Sequence, residues 1–219
     1  MGELSNIQLI VVSIIPVLFA ITLHEVAHGW MALFFGDPTA KMLGRLSLNP
    51  LRHVDPFGTV LLPIIFILTL GFAIGYAKPV PITEENLRNP KRDMAWVALA
   101  GPASNLLMAI FWMVIGSLGI TFLDSGWEGA RFLVYSGAIG AFVNILLMVL
   151  NLLPIPPLDG SRVVSRFLPA PMAWRYNQLE PYGLLIVLVL ILTDVWALVF
   201  MPLVGAIFSL MASVIGFAY

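Results

Sequence analysis

The chain has 219 residues, of which 60% are hydrophobic and 11% charged, and its mean hydropathy is +0.97. A soluble domain is roughly half apolar and about a quarter charged, so this composition predicts an integral membrane protein. The formal net charge of −1 and the lack of a basic run argue against nucleic-acid binding. The chain has no cysteine, which excludes disulfides and thiolate ligands and leaves histidine and carboxylates to hold any metal.

Five apolar stretches, each close to or above the roughly 20 residues that span a bilayer, follow one another at about residues 7–35, 57–76, 94–122, 132–153 and 182–219. The last stretch could be one long helix or two shorter helices broken near Pro202. Because no repeat or linker divides the chain, we expect 1–219 to form a single membrane domain, with a core at about 7–165 and a carboxyl-terminal helical region at about 180–219. The expected fold is an all-α polytopic membrane protein with about four to six transmembrane helices.

Charge in the connecting segments predicts the orientation, since cytoplasmic loops of membrane proteins are enriched in lysine and arginine. Segments 36–56, 77–93 and 160–176 carry most of the basic residues, whereas 123–131 and the amino terminus have an acidic excess. We therefore expect a multi-pass protein of the cell membrane with its amino terminus outside.

Segment 57–76 cannot cross the membrane once in this topology, because it lies between two segments that are predicted to be cytoplasmic. It contains Pro63, Gly71 and Gly75, which are poor helix residues. We interpret it as a re-entrant or β-hairpin element between the first and second core helices, in a setting where protein or a wet cavity satisfies its backbone. A conventional single crossing is the alternative. The neighbouring segment 39–48 alternates loosely and could offer a strand edge to an extended substrate.

A candidate metal site lies within the first apolar stretch, in the sequence THEVAHGW. On a helix, His24 and His28 lie on one face, a turn apart, and neutral imidazole is the commonest protein ligand of zinc. Glu25 lies beside the first histidine and could be the general base for a water that the metal activates. Ionisable groups at membrane depth are costly and mark functional sites by default, which weighs against a chance match. The histidines are expected below the cytoplasmic surface.

A catalytic zinc usually has three protein ligands, so one more is needed. Asp159 is the strongest candidate, because it follows the fourth apolar stretch and arrives at the same predicted depth as the histidines. Taken alone, its Pro-Pro-Leu-Asp-Gly context favours an ordinary surface turn. His53 could hydrogen-bond a transition state or the re-entrant element, or it could simply pair with Asp55 or the backbone. As a fourth ligand it would close the site.

Together these motifs resemble the site-2 proteases, a family that pairs a HExxH helix with a downstream NxxPxPxLDG segment. The matching segments here are 24–28 and 151–160. The resemblance implies that one zinc ion per chain is bound by His24, His28 and Asp159 and that Glu25 is the catalytic base. It also implies that Asn151 lies near the active site and could help to hold substrate.

Further segments agree with this resemblance. Gly101 to Asn105 resembles the GPxxN element of the family's middle core helix, so Gly101 and Asn105 are expected to support the site. Segments 44–58 and 75–80 resemble the short bacterial subgroup, which has neither a PDZ-like insert nor a nucleotide-binding appendage. The resemblance implies hydrolysis of a peptide bond in or near the transmembrane segment of a membrane protein substrate. The alternative is a non-catalytic zinc-binding scaffold or a transporter, although the spans offer few further ionisable residues for a transport path. The sequence does not indicate an oligomeric state.

Overall fold

The structure is a computed structural model that describes residues 4–61, 65, 68 and 76–217. Within this part of the chain all regular secondary structure is helical. The long helices are α1 (Asn6–Phe34), α3 (Pro90–Asp124), α4 (Arg131–Asn151) and α8 (Met201–Ile215). The shorter ones are α2 (Thr39–Met42), α5 (Asp159–Phe167), α6 (Ala170–Asn177) and α7 (Gly183–Leu192). Single turns of 3₁₀-helix lie at Pro50–Arg52, Glu84–Asn86, Glu128–Ala130 and Glu180–Tyr182, and π-helical turns lie at Pro56–Leu61 and Trp196–Phe200.

Four helical segments of the described chain are long and apolar enough to cross a bilayer: Ile7–Phe34, Pro90–Asp124, Glu128–Asn151 and Trp196–Ile215. Each is at or above the roughly 20 residues that span the hydrocarbon core. The prediction of an all-α multi-pass membrane protein is therefore confirmed, with a number of spans inside the expected range.

The pairing of α3 with α4 forms the centre of the bundle, and α1 packs against both helices. Small residues let α3 and α4 approach closely, as is usual for helices in membranes. A Cβ atom on Gly137 of α4 would lie only 2.4 Å from the Cα of Gly116 on α3. Met113 and Ile145 are fully buried at this contact, together with Val204 from α8. One face of α1 is thus enclosed by protein, and that face carries the histidines.

The carboxyl-terminal region forms two helices, but the predicted break near Pro202 is wrong. Helix α7 ends at Leu192, and Thr193 has an extended backbone with φ −100° and ψ 159°. Exposed Asp194 follows at the start of the next helical segment. Pro202 lies where the π-helical turn Trp196–Phe200 passes directly into α8, within the continuous helical segment Trp196–Ile215.

The strand edge predicted for residues 39–48 is also wrong, because Thr39–Met42 forms helix α2. The side chain of Asp37, which is fully buried, accepts hydrogen bonds from the amide of Thr39 at 3.0 Å and from the Thr39 hydroxyl. A carboxylate that binds the backbone two residues later starts a turn, and here that turn continues into α2. The remainder of 39–48 contains no strand either.

Most of the predicted re-entrant element lies outside the described residues. The structure describes its beginning, the π-helical turn Pro56–Leu61, and its end at Tyr76. Whether 57–76 re-enters or spans the membrane stays a prediction.

Candidate metal centre and active site

Three potential metal ligands meet on the inner side of α1. The Nε2 atoms of His24 and His28 lie 3.0 Å apart, and both residues are about 8% exposed. Asp159, the first residue of α5, places one carboxylate oxygen 3.3 Å from each of these nitrogens. All the donor atoms lie within 4.8 Å of one another. The fold thus brings together the two halves of the predicted ligand set, which are far apart in the sequence.

The other ring nitrogens are held by hydrogen bonds that orient the imidazoles. His28 Nδ1 is 2.7 Å from the carbonyl oxygen of Val97. This oxygen can only accept, so Nδ1 carries the hydrogen and Nε2 of the neutral ring presents a lone pair. His24 Nδ1 is 2.6 Å from Asn105 Oδ1, while Asn105 Nδ2 donates to the carbonyl oxygen of Ala20 at 3.2 Å. His24 therefore has the same tautomer, and both lone pairs point toward Asp159.

A divalent cation fits this arrangement. Two nitrogen lone pairs that face each other beside a carboxylate repel one another unless positive charge lies between them. Asp159 Oδ2 is buried, and within the described chain it receives no hydrogen bond. Two imidazoles and one carboxylate are a common ligand set of catalytic zinc, which keeps its fourth position for water or substrate. The donor set is therefore suited to zinc.

Gly101 lies directly against the ligands. A Cβ atom at this position would be 2.4 Å from His28 Nε2 and 2.6 Å from His24 Cε1. Only glycine lets α3 approach the two imidazoles this closely. Gly101 and Asn105, which the GPxxN resemblance suggested as supporting residues, both contact the ligand pair from α3.

Glu25 lies next to the ligands on α1 and is only partly buried. Its Oε2 accepts a hydrogen bond of 2.7 Å from the main-chain amide of Val80. A carboxylate beside a metal centre can take up and release a proton, so the position of Glu25 suits a general base.

The remaining two predicted residues, His53 and Asn151, make hydrogen bonds to the main chain. His53 is buried, with Nε2 2.8 Å from the carbonyl oxygen of Ser47, and its own carbonyl oxygen accepts the amide of Lys78 at 2.9 Å. This agrees with backbone pairing, one of the alternatives considered for it. Asn151, at the end of α4, donates to the carbonyl oxygen of Leu147 at 3.0 Å. His53 is not part of the ligand cluster, and the roles of His53 and Asn151 stay predictions.

Asn144 and Val80 were not singled out from the sequence. Asn144 is fully buried on α4, where its Oδ1 accepts from Asn105 Nδ2 at 2.9 Å and its Nδ2 donates to the carbonyl oxygen of Gly140 at 2.8 Å. It thereby extends the hydrogen-bond chain of His24 and Asn105 by one residue. A polar residue in the middle of an apolar helix was the available signal, because such residues bond across helices in membranes. Val80 acts through its main chain, and no side-chain pattern reveals that.

The site combines three potential metal ligands with a neighbouring carboxylate, and its helices are long and apolar enough to cross a bilayer. This combination is typical of a membrane-embedded metallopeptidase. The family can be stated more narrowly: the chain belongs to peptidase family M50, whose model matches residues 12–135 and 127–194. This membership confirms the resemblance to the site-2 proteases and the predicted class of enzyme, an intramembrane zinc metalloprotease.

Individual relatives cover most of the chain. It is 37% identical over 197 residues to a Bacillus subtilis protein named "Putative zinc metalloprotease YwhC", covering 88% of this chain and 85% of that one. It is 34% identical over 191 residues to "Putative zinc metalloprotease Rip2" of Mycolicibacterium smegmatis, covering 87% of this chain and 70% of the relative. An archaeal protein of Methanocaldococcus jannaschii, "Putative zinc metalloprotease MJ0611", is 25% identical over 146 residues, with 67% and 59% covered. No solved structure matches the chain significantly.

Proposed function

We propose that this protein cleaves peptide bonds within the membrane with one zinc ion bound by His24, His28 and Asp159 and with Glu25 as the catalytic base. The observation that carries this proposal is the meeting of three potential ligand atoms, two on buried histidines and one on the partly buried Asp159, within 4.8 Å of one another. They lie beside a second carboxylate and among helices that suit a bilayer. The bound zinc would act as a Lewis acid that polarises the scissile carbonyl and lowers the pKa of a water to about 7.

The chain's own residues supply the proton transfers. Glu25 takes a proton from the attacking water as the new C–O bond forms at the scissile carbonyl carbon. The same carboxylic acid then gives this proton to the leaving nitrogen as the C–N bond breaks, which restores the carboxylate. Asn105 and Val97 hold the Nδ1 hydrogens of His24 and His28, which leaves the Nε2 lone pairs of the two rings for the metal.

The substrate is the transmembrane segment, or its flank, of another membrane protein. The site lies within the apolar part of α1, because ten residues of helix, or about 15 Å, separate His24 from the last residue, Phe34. A peptide bond that reaches this depth belongs to a chain that is itself embedded in the bilayer. Such a bond must leave its own helix before it can be attacked, since helical hydrogen bonds shelter it.

The active site opens toward the cytoplasmic face of the cell membrane, and the amino terminus lies outside. The support is the concentration of lysine and arginine in segments 36–56, 77–93 and 160–176. Helices α1 and α4 both run toward this face, and the two parts of the ligand set lie in the carboxyl-terminal half of α1 and just after α4. The orientation and the depth of the site therefore agree with each other.

The described ends of segment 57–76 support the interpretation of this segment as a re-entrant element. The amide of Tyr76 donates to the carbonyl oxygen of Gly58 at 3.0 Å, and the Thr59 hydroxyl donates to the carbonyl oxygen of Tyr76 at 2.8 Å. The two ends of the segment thus contact each other, which a single crossing of the bilayer would prevent. These contacts support the re-entrant interpretation over a conventional span.

Zinc content and cleavage, measured on the same preparations, test this function. The variants are Glu25→Gln, which keeps the size of the side chain but cannot act as a base, and Glu85→Gln, which changes an exposed glutamate. We expect one zinc per chain in all three proteins, and cleavage of a model transmembrane substrate by the parent and Glu85→Gln only. Cleavage by Glu25→Gln at the parental rate would contradict the role of Glu25. A parent that purifies without zinc and binds none on titration would contradict the metal site.

A further inference from the structure

The main chain at Val80 contacts the catalytic base directly. Its amide donates to Glu25 Oε2 at 2.7 Å, and the residue is 6% exposed. Hydrogen bonds to an ionised acceptor are short and strong. Val80 lies between Pro79 and Pro81, neither of which has an amide hydrogen. It therefore provides the single main-chain donor of residues 79–81, and that donor is directed at Glu25.

The segment that carries this amide is anchored before Val80. The amide of Lys78 donates to the carbonyl oxygen of His53 at 2.9 Å. The guanidinium of Arg45 donates to the carbonyl oxygen of Lys78, also at 2.9 Å. These bonds tie residue 78 to two separate parts of segment 36–56.

A second anchor follows Val80. The amide of Thr83 donates to Asp37 Oδ2 at 2.8 Å, and Asn86 Nδ2 donates to Asp37 Oδ1 at 3.0 Å. Asp37 is fully buried just after α1 ends. Its carboxylate thus fixes the segment to the end of the same helix that carries Glu25.

The side chain of Val80 also packs closely on α1. A Cβ atom on Gly29, one turn after Glu25, would lie 2.9 Å from Val80 Cγ1. The lack of a side chain at this position allows the segment to lie on the helix surface, where its amide can reach the carboxylate. Anchors on both sides and close packing in the middle are features of a fixed support rather than of a lid.

We infer that Val80 is a positioning residue for the catalytic base, whose amide holds Oε2 of Glu25 and leaves Oε1 for the attacking water. A glutamate has three rotatable side-chain bonds, and a general base must remain within hydrogen-bond reach of its proton. Fixing one oxygen by a rigid backbone donor restricts the carboxylate without competing for its second oxygen. This inference rests on the proposed function, because it assumes that Glu25 is the base.

Hydrogen exchange tests the contact independently of activity. The prolines leave residues 78–83 with four amide hydrogens, at Lys78, Val80, Ile82 and Thr83, so fragmentation mass spectrometry can assign each one. In Glu25→Ala we expect the Val80 amide to exchange at least about tenfold faster than in the parent, since opening then breaks no bond to a charged acceptor. The amides of Lys78 and Thr83 keep their own acceptors and serve as internal controls. Unchanged exchange at Val80, or equal acceleration at all three, would overturn the inference.

Kinetics of two substitutions test the consequence for catalysis. Val80→Pro removes the donor, whereas Val80→Ala keeps it and trims the side chain. We expect the kcat of Val80→Pro to fall by about 10- to 100-fold, as for a misplaced catalytic group. The KM and zinc content of this variant should not change, and Val80→Ala should keep most of its activity. Parental or higher kcat in Val80→Pro, or an equal loss in Val80→Ala, would overturn the inference. If Val80→Pro does not fold, the exchange measurement decides alone. Cleavage and zinc binding by the parent test the proposed function separately, so the two failures are distinguishable.

Discussion

Replacing Gly101 with alanine should disturb the metal centre directly. The new methyl carbon would lie 2.4 Å from His28 Nε2 and 2.6 Å from His24 Cε1, whereas non-bonded atoms prefer separations of about 3.5–4.0 Å. One or both rings would therefore have to move by about 1 Å. They are not free to do so, because the carbonyl oxygen of Val97 and the side chain of Asn105 hold their Nδ1 atoms.

The size of the effect follows from the cost of this overlap. Overpacking a well-packed site costs about 1–3 kcal/mol. If that cost falls on the arrangement that binds metal, zinc affinity decreases by about 5- to 150-fold. A displacement of about 1 Å at a reacting centre can also reduce the rate by about 100-fold, so activity should stay low even when zinc is saturating.

Competition with a chromophoric chelator measures the affinity of the purified protein in detergent. Gly205→Ala is the matched control, because it makes the same change in α8 at a position where a Cβ atom meets no other atom within 4 Å. We expect weaker zinc binding in Gly101→Ala and parental binding in Gly205→Ala. Parental affinity and activity in Gly101→Ala, or an equal loss in the control, would refute the packing argument.

Three further predictions concern the supports of the site and the metal. Asn144→Leu keeps the approximate size of the side chain but leaves Asn105 Nδ2 with one acceptor fewer, so zinc affinity should fall by about tenfold. Unchanged zinc affinity in chelator competition would exclude Asn144 as a support of the site. Burial alone would raise the pKa of Asp37, but hydrogen bonds from Thr39, Asn86 and Thr83 outweigh it and hold that pKa below its usual value. A lowered folded-state pKa stabilises the protein above the unfolded-state pKa of about 3.9 and loses this effect as the pH falls through the folded-state value. The melting temperature of the parent should therefore exceed that of Asp37→Asn at neutral pH, and the difference should become smaller below about pH 4. A difference that does not change with pH would contradict the charge argument. Removing zinc with a chelator should abolish cleavage and lower the melting temperature, and adding zinc should restore both; full cleavage in excess chelator would contradict a metal-dependent mechanism.

The ligand cluster could be anticipated because its parts follow from simple periodicities. Spacing of four residues puts His24 and His28 on one face of a helix, and charge bias predicts that α1 and α4 end on the same side of the membrane. Asp159, just after α4, then had to arrive near the depth of the histidines. The precise meeting of the three side chains depends on how α3 and α4 pack, which only the structure supplies.

Other features depend on contacts that sequence patterns do not reveal. The loose alternation of residues 39–48 suggested a strand, but the buried Asp37 carboxylate accepts local hydrogen bonds from Thr39, and these favour α2. Pro202 suggested a break, yet the helical segment Trp196–Ile215 continues through it, and the helix ends before the extended backbone of Thr193 instead. The contact between Val80 and Glu25 uses a main-chain amide, which every residue except proline possesses. Its position depends on anchors at His53 and Asp37 that are remote in sequence.

The central claim is a zinc centre built from two imidazoles and one carboxylate, and X-ray absorption at the zinc edge of the loaded protein tests it most directly. The scattering pattern of imidazole reports how many histidines bind the metal. We predict two histidine nitrogens at about 2.0–2.1 Å and a carboxylate oxygen at about 2.0–2.2 Å, with the oxygen contribution altered in Asp159→Ala and the spectrum unchanged in His53→Ala. Three imidazoles in the parent, or a spectrum that Asp159→Ala leaves unchanged, would contradict this account of the site.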